Sequence, residues 1–393
     1  MPHRSWPKQS FQFAFFFFAY YAYVGAFTPY ASLYFADKGI RAAEIGILMS
    51  LMQVTRIFGP TLWGWVADHT QRRVVVLRVT AIAALLVFYG MFAGSGFIQF
   101  FLVMLLLNTC TSAQAPLSEA LMLSEMQGDL THYGRLRLWG SVGFIAAVTC
   151  GGKLLDWQGI SLMPWLCWGL LGMVLLASLR MQESPHQTVH RTAPSVRLLL
   201  KRPEVAAFFT STFMMVAAHS ALYVFYSLYL AQLGYSKTVI GLMWSLGVVA
   251  EIVFFYFQAP IFRRFGVKAL MLTSLMIAVG RFTMLGLGAQ SLICLLFAQI
   301  LHAATFAAHH SASVMRMQRW FSGPLQARGQ ALYVSISYGL GGSFGGLLLS
   351  LFWSETNGRA VFFAAALLAL IGWVAAILSY RWQERATAIT SSC

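Results

Sequence analysis

Apolar residues run along this chain in stretches of about twenty, without the period-two alternation of strands, and polar residues gather in the short breaks between them. A helix that crosses a bilayer needs about 20 mainly apolar residues. Twelve stretches meet that requirement: 11–36, 44–67, 74–93, 97–123, 136–155, 160–180, 204–232, 238–260, 269–287, 289–315, 328–352 and 358–380. A transmembrane β-barrel would instead alternate in segments of about 10 residues. The one long polar interval, 181–203, carries Pro185, Pro194 and Pro203 and ends in basic residues. The pattern predicts an all-α polytopic membrane protein of twelve helices. Residues 1–180 and 204–393 form two six-helix bundles, joined by a central cytoplasmic loop at 181–203.

An internal repeat supports the division. Shifting the chain by 195 residues lays LYFADKGIRAAEIGILMSLMQVTRI (33–57) over LYLAQLGYSKTVIGLMWSLGVVAEI (228–252), and ten of the 25 positions are identical. Two parallel six-helix halves related by an axis normal to the membrane are the organisation of alternating-access transporters.

Composition excludes a water-soluble or disordered chain, since 59% of residues are hydrophobic and 10% charged. The net charge of +15 would suggest nucleic acid in a soluble protein. Its distribution removes that reading. Twenty of the 27 Lys and Arg fall in segments on one side of the membrane and five on the other, while Arg56 and Arg281 lie within spans. The positive-inside rule therefore places both termini in the cytoplasm and leaves no basic excess to explain. The five cysteines show no metal-binding spacing, and the first apolar run is too long for the core of a signal peptide.

Ionisable residues inside spans carry the functional signal, because a charge at the centre of a membrane helix costs about 2.5–3.5 kcal/mol. Arg56, His219, Glu251, Arg281 and His302 all fall near mid-membrane by residue count, and the repeat sets Arg56 opposite Glu251. Glu119 lies in span four and Arg137 at the start of span five. On an ideal helix His302 and His309 share a face, with His310 about 80° further round. No Cys or carboxylate in span ten completes a metal set, so neither a metal nor a cofactor is expected. An enzyme would need a nucleophile with its base, or HExxH. Ser311 beside His309 and His310 is the nearest approach to either. Glycine clusters at 140–152 and 338–350 allow close helix contact, which fits moving surfaces between the halves.

The loop GWVADHTQRR (64–73) resembles the signature between helices two and three of the major facilitator superfamily. That resemblance makes Asp68, Arg72 and Arg73 a cytoplasmic gating latch. APLSEA (115–120) and YGRLRLWGSVGF (133–144) resemble spans four and five of the lactose permease family of proton symporters, in which a Glu and an Arg eighteen residues apart bind the substrate. Glu119 and Arg137 have that spacing, and Phe144 stands where the family has a sugar-stacking Trp. Arg281 and His302 match the family's proton-coupling Arg and His. Thr305 replaces its Glu, which leaves Glu251 as the replacement carboxylate.

GYSKTVIGLMWSLGVVAEIVFF (234–255) and ILHAATFAAHHSA (300–312) resemble, more closely, the 3-phenylpropionate transporters of proteobacteria, where Arg56, Glu251, Arg281 and His302 have counterparts. The resemblance implies a proton symporter of the inner membrane, working as a monomer among lipids and importing a small solute. An aromatic carboxylate would be held by Arg137 or Arg56, with Phe144 and the span-one tyrosines Tyr20, Tyr23 and Tyr30 taking the ring. A sugar or nucleoside is the alternative, and a sugar suits the Glu119/Arg137 pair. The proton is expected on Glu251, or shared with His302 and Arg281, with His219 and His310 as neighbouring relay groups.

Overall fold

The computed structural model of the chain describes residues 9–125, 130–183, 197–354 and 356–391, and every regular element among them is helical. Arg4, Lys8 and Arg191 of the charge count, and residues 184–196 of the central loop, lie outside the described residues. Eleven helices are long and apolar enough to cross a membrane, and one of these, Lys237–Gly288, has 52 residues. At 1.5 Å per residue it would reach ~78 Å, more than twice a hydrocarbon core of ~30 Å. It breaks at Gly266, where φ is 76° and ψ 162°.

The twelve spans are thus α1 (Ser10–Asp37), α2 (Ala42–Thr70), α3 (Arg73–Ala93), α4 (Phe97–Glu125), α5 (His132–Gln158), α6 (Ile160–Arg180), α7 (Pro203–Gln232), α8 (237–265), α9 (267–288), α10 (Leu292–Trp320), α11 (Arg328–Ser350) and α12 (Arg359–Ala386). Gly39 and Gly234, matched by the repeat, follow α1 and α7 at φ 77° and 85°. Only glycine takes that backbone cheaply, so the repeated residue is a repeated helix stop. Large apolar side chains such as Leu86, Trp157, Tyr256 and Leu287 remain on the outer surface, as lipid-facing helices require.

The chain divides into two compact units, residues 1–189 with 235–245, and residues 190–234 with 246–393. In the first unit α1 lies directly on α5. A Cβ placed on Gly143 would meet the Phe18 carbonyl oxygen at 2.2 Å, and one on Gly25 the Phe144 carbonyl at 2.6 Å. Phe13, Phe16, Leu77, Leu121 and Val174 fill the core beneath. At one end, Arg78 donates to the carbonyls of Ser178, Leu179 and Met181 at 3.2, 3.1 and 2.8 Å, closing the C-terminus of α6. Glu183 accepts the Val74 N–H at the start of α3, at 3.1 Å. Each charge sits at the helix end whose dipole it complements.

The first turns of α8 also belong to this unit. Asp156 accepts the N–H groups of Lys237 and Thr238, both at 2.8 Å, and the Thr238 hydroxyl at 2.6 Å. Tyr30 donates its hydroxyl to the Val148 carbonyl at 2.6 Å, and the Thr149 and Ser245 hydroxyls lie 2.7 Å apart. A residue count along the chain assigns 235–245 to the C-terminal bundle. The Asp156 cap, the Thr149–Ser245 contact and the approach of Gly241 to Val148 tie it to the first.

In the second unit α7 is the buried helix, packed on α11 through Gly341 and Gly345. A Cβ on Gly345 would sit 2.2 Å from the Ala217 carbonyl oxygen. Gly143, Gly341 and Gly345 therefore serve close packing inside their own units, which corrects the expectation of moving surfaces for these three. Three π-helical segments interrupt the spans of this unit, at Ala221–Tyr226 in α7, Ala303–Ala308 in α10 and Val334–Gly341 in α11. Such segments are uncommon and concentrate at functional sites.

Candidate solute and proton sites

Two clusters of ionisable side chains, one in each unit, bear on function. In the first, Arg137 of α5 donates through Nε to Glu119 of α4 at 2.9 Å, and its other arm donates to the Tyr21 hydroxyl. The guanidinium lies 4.1 Å from the Tyr21 ring centroid and 5.7 Å from that of Phe17. Gly140 makes the arrangement possible, since a Cβ there would lie 2.7 Å from the Tyr21 ring and 2.9 Å from Arg137 itself. Both charged partners remain about a third exposed, at 30% and 32%. The pair therefore contributes little to stability, ~0–1 kcal/mol, and both groups stay open to a ligand.

Arg56 of α2 is exposed, within electrostatic reach of Tyr20 and Tyr21, and makes no hydrogen bond or ion pair among the described residues. Its guanidinium is uncommitted, whereas that of Arg137 is held by Glu119 and Tyr21.

Two expected aromatic residues are placed differently. Tyr23 is buried in the interior of its unit, against Phe27 at 5.7 Å and Phe88 at 6.4 Å, because on α1 it projects from the opposite side to Tyr21. Tyr30 is occupied with the Val148 carbonyl. Phe144 is half-buried, nearly two turns beyond Arg137, with its backbone against Gly25. The aromatic rings beside Arg137 are those of Tyr21 and Phe17. Asp68 is exposed at the end of α2, where its carbonyl accepts from the Gln71 side chain at 2.5 Å, and Arg72 and Arg73 open α3.

The second cluster lies within the second unit. Glu251 of α8 meets His302 of α10, Oε1 to Nε2, at 2.7 Å. Arg281 of α9 is completely buried, donating to the Ala298 carbonyl at 2.6 Å, the Thr305 hydroxyl at 3.2 Å and Gln299 Oε1 at 3.3 Å. These are neutral acceptors, so Arg281 is solvated by dipoles and leaves Glu251 to His302. His219 of α7 reaches the Met215 carbonyl through Nδ1 at 2.9 Å, which puts its proton there and leaves Nε2 to accept from Thr305 at 3.3 Å. His310 lies with Nδ1 2.9 Å from the Tyr338 hydroxyl and 3.3 Å from that of Tyr333.

One expectation for α10 is overturned. His302 pairs by face with His310 rather than with His309, and both rings stack on Phe306 between them, at centroid distances of 5.4 and 6.4 Å and interplanar angles of 14° and 12°. The π segment Ala303–Ala308 inserts one extra residue into the helix, so two turns here span eight residues instead of seven. His309 turns instead to Ser274 of α9, 3.1 Å away. A small cavity among His219, Thr305, Phe306, His309, His310 and Tyr338 borders the stack. Among the described residues no group of three or more His, Cys, Asp or Glu has the geometry to hold a metal. Tyr21, Gln299, Phe306, Tyr333 and Tyr338 are the contacts that reading the residues alone did not single out. The spacing of His302, Phe306 and His310, four apart, was the available signal for Phe306.

Residues 11–365 match the model of the MFS_1 like family. The chain is 31% identical over 360 residues to the probable 3-phenylpropionic acid transporter of Escherichia coli (strain K12), covering 90% of this chain and 93% of that protein. It is also 31% identical over 271 residues to the maltose permease of Geobacillus stearothermophilus, covering 68% of each. Among solved structures, a mutant form of the nucleoside transporter NupG superposes with a TM-score of 0.84 at 18% identity, over 96% of this chain and 99% of that one. At that identity the superposition speaks for the fold alone. The chain thus belongs to the MFS_1 like family, and is a multi-pass membrane transporter of the major facilitator type, not an enzyme.

Proposed function

We propose that the protein imports a small aromatic carboxylate, of the class of 3-phenylpropionate, together with a proton by alternating access across the inner membrane, with both termini cytoplasmic and the monomer as the working unit. The observation that carries this reading is the 2.7 Å contact between Glu251 and His302 inside the spans. Two titratable groups at hydrogen-bond distance in a low-dielectric site form a unit that takes up and gives back one proton, whereas a purely structural pair seldom adds stability over apolar packing. Arg281 supplies fixed positive charge nearby and favours release once the solute has gone. In the first unit Arg56 receives the solute carboxylate and Tyr20 and Tyr21 flank its ring, with Asp68, Arg72 and Arg73 acting as a cytoplasmic latch. The 31% identical relative named for 3-phenylpropionic acid supports the choice of solute.

A sugar is the second reading, favoured by the Glu119–Arg137 pair, whose exposed donors and acceptors suit hydroxyl groups. The test is initial uptake of labelled 3-phenylpropionate, maltose and uridine into proteoliposomes, with and without an inward proton gradient. Initial rates are compared with protein-free vesicles because the undissociated acid crosses lipid unaided. The expected result is gradient-stimulated entry of the carboxylate alone. Maltose entry without carboxylate entry would install the second reading, and rates indifferent to the gradient would end proton coupling.

A further inference from the structure

Phe306 stands at the centre of the second unit's titratable groups. Its ring is flanked by His302 and His310, with His219 at 6.1 Å and Tyr338 at 6.4 Å from its centroid. Resting on the proton-coupled reading, we infer that Phe306 is a partition between two proton stations, one at Glu251 and His302, the other at His310 with Tyr338 and Tyr333. A benzene ring has neither donor nor acceptor, so no hydrogen-bonded path runs through it. The second station offers polar partners, since two tyrosine hydroxyls stand at His310 Nδ1 at 2.9 and 3.3 Å and Ser311 beside it donates to Gln258 of α8 at 3.0 Å. The groups facing the partition are Glu251 and Gln258 from α8, Arg281 and Ser274 from α9, His219 and Tyr223 from α7, and Tyr333 and Tyr338 from α11.

When the ring moves aside, the Glu251 O–H bond breaks and an N–H bond forms on the His310 imidazole. The products are a carboxylate, which pairs with His302, and an imidazolium steadied by the tyrosine oxygens. The cavity that Phe306 lines with His219, His309, His310 and Tyr338 gives the ring a space to turn into.

The test is proton entry into proteoliposomes, followed with an internal pH dye. Without solute, wild type should be tight and Phe306→Ala should admit protons about ten-fold faster or more, equal to a barrier lower by ~1.4 kcal/mol. Phe306→Leu refills the gap and should restore tightness. Adding His310→Gln to Phe306→Ala should abolish the leak. A tight Phe306→Ala with a wild-type unfolding midpoint, or a leak that survives His310→Gln, overturns the partition. If Phe306→Ala does not fold, Tyr338→Phe decides, since it keeps the ring and removes the hydroxyl. Solute-driven proton entry should then slow by about ten-fold, and an unchanged rate overturns the second station. Wild type that admits no protons with solute ends the coupled reading and the partition with it. Coupled wild type beside a tight Phe306→Ala ends the partition alone.

Discussion

Arg56→Gln offers the sharpest separation between the two arginines of the first unit. The substitution removes the charge and keeps a polar side chain of related shape. A hydrogen bond to a charged group is worth ~1.5–3 kcal/mol. Arg56 is exposed and keeps part of its hydration, so the lower part of that range applies, ~1.5–2 kcal/mol, and the Kd for 3-phenylpropionate should rise by about 10- to 30-fold. Arg137 is already held by Glu119 and Tyr21, so its own removal should leave the preference for the acid in place and, with the pair contributing only ~0–1 kcal/mol, move the unfolding midpoint little. The assay is equilibrium binding of 3-phenylpropionate and of its neutral amide to purified protein in detergent. Wild type should prefer the acid, and Arg56→Gln should lose that preference while its affinity for the amide holds. An acid affinity unchanged in Arg56→Gln, with the preference lost in Arg137→Gln, would refute the assignment and put the carboxylate on Arg137.

Two further outcomes follow from packing and capping. Gly143→Ala drives a methyl group into the Phe18 backbone, at a cost of ~1–3 kcal/mol; Gly172→Ala, inside a helix with open space at its Cβ, should not lower the unfolding midpoint. Equal midpoints for the two variants would contradict the α1–α5 contact. Asp156→Ala removes the carboxylate that caps Lys237 and Thr238, a loss of ~1–2 kcal/mol, and amide hydrogen exchange at the start of α8 should accelerate, with unchanged protection speaking against the cap.

The twelve spans were legible in the sequence because lipid forbids exposed backbone polar groups, so every crossing must be a long apolar helix. The ionisable residues were legible for the related reason that a buried charge is costly and rare. Which way they point was not. Tyr21 and Tyr23 are indistinguishable in an apolar run, and the close packing of α1 on α5 at Gly25, Gly140 and Gly143 is what lets Tyr21 meet Arg137 while Tyr23 meets Phe88. The pairing of His302 with His310 was hidden by the assumption of 3.6 residues per turn, which the π segment breaks. The cap by Asp156 joins residues about eighty apart in sequence through hydrogen bonds to backbone N–H groups, which no side-chain pattern announces.

The most direct trial of the account is Glu251→Gln in proteoliposomes. Among the described residues Glu251 is the one carboxylate deep within a span of the second unit, which makes one proton per cycle the expectation and a pH step of about one unit worth ~1.4 kcal/mol of driving force. Initial pH-driven uptake of labelled 3-phenylpropionate should fall in Glu251→Gln to the rate of protein-free vesicles, while exchange of internal for external solute at equal pH continues. Undiminished pH-driven uptake by that variant would show that the proton travels elsewhere.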